Sequence, residues 1–114
     1  MVDDEHLIAD TVADILDRHG YQAIAVYGSK EALDEANGFC PDIVLCDIVM
    51  PEVNGVETAV ALRRICPAVR IILFSGHAAS SALLDRARVQ GHEFEVLAKP
   101  IHPRELLRKL APKQ

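Results

Sequence analysis

Short aliphatic runs alternate with amphipathic stretches along the whole chain, and this alternation restricts the fold more than any other feature. Ala23-Ile24-Ala25-Val26-Tyr27, Ile43-Val44-Leu45-Cys46 and the runs at residues 69–74 and 94–97 have the length and branching of buried strands. Between them apolar residues recur at helical spacing. Leu7, Ile8, Val12, Ile15 and Leu16 mark a first helix, with acidic cap candidates before it and Gly20 as its stop. Ser29 is expected to cap a second helix carrying Ala32, Leu33 and Ala36 up to Gly38. A third runs through Val60 and Leu62 and must end near Pro67, and a fourth runs from about Ser80 to Gly91. Pro103 suits the first position of a last helix, with Leu106, Leu107 and Leu110 facing inward.

Strict alternation with short connections predicts a doubly wound α/β domain, a parallel sheet with helices on both faces, as one domain over residues 1–114. No repeat, linker or low-complexity segment interrupts it. One element is short. Only Met1-Val2 stand ahead of Asp3-Asp4-Glu5, so the leading strand is expected to be a stub. The first strand of a doubly wound sheet is usually internal, and shortening it leaves the backbone groups of two neighbours without partners.

Half of the 114 residues are hydrophobic and 25% are charged, which supports a packed core and argues against disorder. With two Tyr, three Phe and no Trp, that core must be aliphatic. A formal net charge of −5 has the wrong sign for direct nucleic-acid binding. The longest apolar runs fall far short of the ~20 residues that span a bilayer. No signal-peptide pattern follows Met1, so a cytoplasmic location is expected. Cys40, Cys46 and Cys66 are odd in number and lack C-x-x-C spacing, which predicts three reduced thiols.

In open parallel sheets the working site lies beyond the carboxyl ends of the strands. There the sequence places Asp3, Asp4 and Glu5 after the stub, Asp47 after residues 43–46, Ser75 after residues 69–74, and Lys99 after residues 94–97. Taken singly, each has an ordinary reading: acidic residues at a helix start, a turn Asp or Ser, a solvated Lys. Jointly they make a mixed-charge rim. Clustered carboxylates suit a hard divalent cation such as Mg2+, one of them can act as a nucleophile towards phosphorus, and Lys99 and Ser75 can stabilise phosphoryl oxygens.

These residues resemble the response-regulator receiver domain of two-component signalling. The resemblance rests on Val2-Asp3-Asp4-Glu5, on Asp47-Ile48-Val49-Met50-Pro51 with Asn54-Gly55, on Phe74-Ser75-Gly76 and on Lys99-Pro100, and it covers nearly the whole chain. It implies a flavodoxin-like five-stranded sheet of order 2-1-3-4-5, here with the first strand cut to a stub. It also implies that Asp47 accepts a phosphoryl group from a sensor histidine kinase or phosphotransfer protein. Asp4 and Asp47, with the Val49 carbonyl, are then expected to ligate Mg2+, and Asp3 to ligate it through water. Ser75 and the Gly76 N–H are expected at the phosphate, Lys99 on its oxygens, and the Lys99-Pro100 bond to be cis. The family further implies a signalling module rather than an enzyme acting on other substrates, with homodimerisation through the last two helices and strand.

One departure bears on output. Where the family often has an aromatic switch residue three positions before the Lys, this chain has Val96, with Phe94 one pleat repeat away on the same face. A haloacid-dehalogenase-like phosphatase is the enzyme alternative, but it needs a second Asp where Val49 stands and more chain. A receiver that binds partners without phosphorylation is the remaining alternative. The five histidines share no ligand spacing, although His77 falls near the rim.

Overall fold

The computed structural model describes residues 1–76 and 79–111. Its elements in chain order are α1 (His6–Arg18), α2 (Ser29–Gly38), β1 (Ile43–Asp47), α3 (Gly55–Ile65), β2 (Arg70–Ser75), α4 (Ala79–Val89), β3 (Glu95–Ala98) and α5 (Pro103–Leu110). The three strands are parallel in the order β1-β2-β3, with Asp47 level with Phe74 and Ser75 level with Ala98.

Alternation along the strands sorts the helices onto two faces. Val44 and Cys46 of β1 and Ile71 and Leu73 of β2 pack with Ala32 and Ala36 of α2, Ala59 and Leu62 of α3, and Ala87 of α4. The residues between them, Leu45, Ile72 and Phe74, pack on the other face with Val12 and Leu16 of α1 and Leu106 and Leu110 of α5. Burying each of the Val, Leu, Ile and Phe side chains among these contributes about 1.5–3 kcal/mol, so aliphatic residues supply most of the core. Gly20 and Gly91, at φ 92° and 90°, turn the chain out of α1 and α4 through a left-handed conformation that other residues rarely adopt.

The five-stranded order is not confirmed: among the described residues the sheet has three strands. Residues 23–27 are not a strand; only Val26 pairs, in an isolated parallel bridge with Val2. Val2 pairs likewise with Cys46, so Val26, Val2 and Cys46 lie side by side in the expected order without forming a ladder. The stub offers a single pairing residue, and a strand cannot propagate along one residue. Its hydrogen bonds are complete: Val2 N–H to Leu45 O, Asp47 N–H to Val2 O, Val26 N–H to Met1 O and Asp3 N–H to Val26 O. Behind it a cleft of about 720 Å³ opens between the Ala23–Ile24 segment and Ile43–Leu45. The exposed Ile24 and Phe39 flank this cleft.

Two local expectations also change. Ser29 is the first residue of α2 rather than its cap, and its hydroxyl accepts from Thr58 Oγ1 at 2.9 Å, tying α2 to α3. Cys40 and Cys66 are not reduced thiols: they form a disulfide with Cα atoms 5.7 Å apart, leaving Cys46 alone free and buried. The two residues lie 26 apart, with no short motif to pair them, and only the packing of α2 against α3 brings them together.

Candidate functional site

Asp47 closes β1, where four preceding apolar residues carry the backbone out of the core to the strand's carboxyl end. The Val2 bridge then sets Asp3 and Asp4 beside it. Carboxylate oxygens of Asp3, Asp4 and Asp47 all lie within 4.8 Å of one another, with Asp3 and Asp47 buried. Lys99 follows β3 and reaches back to this cluster. Its Nζ lies 3.2 Å from Asp3 Oδ2 and 3.2 Å from Asp47 Oδ1. Two features aim it: its N–H donates to Ser75 O at 2.9 Å, and the Lys99-Pro100 peptide is cis, as expected.

The electrostatics are those of a crowded acidic pocket with one cation. Burial, then the Asp3 charge, raise the Asp47 carboxyl above the ordinary value, and Lys99 opposes them only in part. Burial by itself would lower the Lys99 ammonium, but the Asp47 and Asp3 carboxylates outweigh it and raise the group. Cys46, directly before Asp47, is pushed up to about 12 by burial and by the Asp47 charge, so it remains a protonated thiol. Asp3 also accepts from the Glu5 N–H at 2.9 Å, which fixes one of its oxygens at the start of α1.

The loop after β1 is held from below. Asn54 caps α3 by accepting from the Glu57 N–H at 2.9 Å, and Gly55 N–H donates to Ile48 O at 2.7 Å. Gly55 packs directly on the Asp47–Ile48 backbone: a Cβ there would collide with the Asp47 carbonyl oxygen and stand 2.8 Å from the Ile48 Cα. The turn between holds Glu52 at φ 65°, a conformation rarely adopted without glycine, with Val53 N–H donating to Pro51 O.

Most of the residues singled out from the sequence fall among the described residues. Asp3, Asp4, Asp47 and Lys99 converge. Ser75 ends β2 on the same rim, and Gly76 follows, with a Cβ there 3.1 Å from Lys99 Cβ. Val49 is partly exposed two residues beyond Asp47. Phe94 is not on the rim: the Arg63 guanidinium lies 4.0 Å over its ring at the opposite end of the sheet from Ser75. His77 lies outside the described residues. The sequence reading missed the direct Lys99–Asp3 ion pair and the close approach of Gly55 to Asp47. The Asn54-Gly55 pair after Asp47 was the available signal for the second; nothing local signalled the first.

Three carboxylates within ligand distance of one another suit a hard, oxygen-seeking cation, and the chemistry of this donor set fits Mg2+. A parallel sheet clothed on both faces, with such a pocket at the carboxyl ends of its strands, defines a doubly wound α/β domain with an acidic pocket at one rim. The chain belongs to the response regulator receiver domain family, whose model it matches over residues 1–111. It is 27% identical over 111 residues to the chemotaxis protein CheY of Thermotoga maritima, covering 96% of this chain and 91% of that protein. It is 33% identical over 110 residues to the transcriptional regulatory protein PdtaR of Mycobacterium tuberculosis, covering 94% of this chain but 51% of that one. The chain therefore spans nearly all of the chemotaxis relative and about half of the transcriptional one. Among solved structures, a CheY-like receiver domain from Methanospirillum hungatei superposes with a TM-score of 0.82 at 27% identity, covering 96% of this chain and 86% of that one. Chemotaxis protein CheY4 of Vibrio cholerae gives 0.80 at 26% identity, covering 96% and 91%.

The family's general function is phosphorylation-dependent signalling in two-component systems, and its receiver domains typically bind Mg2+. They are signalling modules rather than enzymes in the ordinary sense. Among the described residues no helix is long and apolar enough to cross a membrane.

Proposed function

We propose that this chain is a single phosphorylatable receiver, 1–114, in which Asp47 is the phosphoacceptor. The observation that carries the reading is the position of the Lys99 ammonium, 3.2 Å from Asp47 and 3.2 Å from Asp3 at the carboxyl end of β1. An Asp47 oxygen attacks phosphorus, the phosphorus–nitrogen bond of a phosphohistidine breaks, and the imidazole of a sensor kinase or phosphotransfer protein departs. Lys99 shifts from the two carboxylates to the incoming phosphoryl oxygens, while Ser75 and the Gly76 N–H stand on the same rim to donate hydrogen bonds. In this reading Asp4, Asp47 and the Val49 carbonyl would hold Mg2+ directly and Asp3 would hold it through water, and the ion would supply positive charge for the phosphoryl oxygens. The domain works in the cytoplasm, where phosphohistidine donors are made, and the phosphorylated form presents α4, β3 and α5 to a second copy. It contacts neither nucleic acid nor membrane directly.

Acetyl phosphate with and without Mg2+, followed by intact mass, tests this. A Mg2+-dependent phosphoryl adduct that is absent from Asp47→Asn is the expected result. A folded protein that forms no adduct would instead be a receiver that binds partners without phosphorylation. An adduct that survives in Asp47→Asn would move the acceptor elsewhere.

A further inference from the structure

Cys40 and Cys66 sit at the two ends of one β-α unit. Cys40 lies just before β1 and Cys66 is the C-cap of α3, so their disulfide closes a ring that contains β1, Asp47 and all of α3. The bond crosses the end of the molecule remote from Asp47, since it joins the amino end of β1 to the carboxyl end of α3. The two cysteines differ in environment. Cys40 is exposed, between Phe39 and Pro41, whereas Cys66 is 3% exposed and packs in the core with Ala36 and Leu62. Cys66 does not need the disulfide to stay in place: its N–H donates to Leu62 O at 2.7 Å and its carbonyl accepts from Val69 N–H at 3.0 Å. Cys46 is fully buried and free, and stays outside thiol exchange.

We propose that Cys40 and Cys66 form a reversible thiol–disulfide switch, opened by attack at the sulfur of the exposed residue Cys40, that sets the stability of the domain from the end opposite its phosphoacceptor rim. A thiolate of a dithiol reductant attacks Cys40, the sulfur–sulfur bond breaks, and Cys66 leaves as a thiolate that takes a proton from solvent. The second thiolate of the reductant attacks the mixed disulfide and releases Cys40. Two electrons have then passed to the protein, and the reductant ends as its own disulfide. Opening the ring restores conformational freedom to the unfolded chain and frees residues 39–41, while α3 retains its backbone cap.

The experiment equilibrates the protein with oxidised or reduced glutathione, counts alkylatable thiols in denaturant by intact mass, and records thermal unfolding of each form. The expected result is one thiol in the oxidised form and three in the reduced form, with a melting temperature roughly 10–20 °C lower on reduction. Cys40→Ala should melt at the same temperature in both buffers. In Cys66→Ala, Cys40 should take up glutathione in the native state, whereas Cys66 in Cys40→Ala should not. Three thiols after oxidation, equal melting temperatures for the two forms of the wild type, or native glutathione uptake at Cys66 in preference to Cys40 would each overturn the proposal. Cys40→Ala changes an exposed position, so it decides the matter even where the core substitution Cys66→Ala fails to fold.

Discussion

Lys99 and Asp3 stand 96 residues apart in sequence and 3.2 Å apart in space, with the Asp3 side chain wholly buried and the Lys99 side chain 18% exposed. The same ammonium serves Asp47, so one cation holds two carboxylates that would otherwise repel. Removing one partner of a buried pair leaves uncompensated charge, and such losses run to about 3–5 kcal/mol. Lys99→Met should therefore lower stability by about that amount in EDTA, and Mg2+ should restore much of it by supplying the missing charge. Urea denaturation with and without Mg2+ reads both effects. A variant that Mg2+ stabilises no more than it does the wild type would show that the cation and the ammonium do not share these carboxylates.

Asp47 titrates in the direction that makes its charge a burden. Its carboxyl is raised by burial and by Asp3, so the folded protein holds that proton more tightly than the unfolded chain. Stability then falls as pH rises from the unfolded value of 3.8 through the folded one, and the penalty is complete above both. Asp47→Asn should melt a few degrees higher than wild type at pH 7 in EDTA. The advantage should shrink on acidification and vanish below the unfolded value. A difference that stays constant across this range would assign it to packing rather than charge.

Gly55 carries the Asp47 backbone on its bare α-carbon. A methyl group there meets backbone atoms that cannot rotate away, so Gly55→Ala must displace Asp47 or the first turn of α3. Overpacking of this kind costs about 1–3 kcal/mol. Acetyl phosphate labelling should fall with stability, and unchanged labelling in a stably folded variant would mean that the loop yields without moving the acceptor.

The cleft behind Val2 makes a third structural claim testable. Val2 bonds Leu45 O and Asp47 N, and the alternation of a parallel ladder turns Leu45 N–H and Ile43 C=O to the same side. Four aliphatic residues fused ahead of Met1 should pair there and fill apolar space. The melting temperature should rise by several degrees over a Gly/Ser extension of equal length, with slower amide exchange at Leu45. Equal behaviour of the two extensions would show that the cleft does not accept a strand.

Local sequence set the layer order, because short continuous apolar runs at residues 43–46 and 69–74 and helical spacing between them admit little besides a parallel sheet with helices on both faces. It also determined the rim, since residues that follow buried strands in such a sheet must emerge at one edge. Tertiary structure decided what depends on partners. Residues 23–27 have strand composition but form no strand, because a ladder needs a neighbour and Val2 offers one residue of pairing. Cys40 and Cys66 look like unrelated thiols until α2 packs on α3. Lys99 reads as a solvated charge until the turn after β3 brings it over Asp3 and Asp47. Local propensity and periodicity act within a few residues, whereas pairing, disulfide closure and shared counter-charge join positions 24 to 96 residues apart, and only the folded chain brings those into contact.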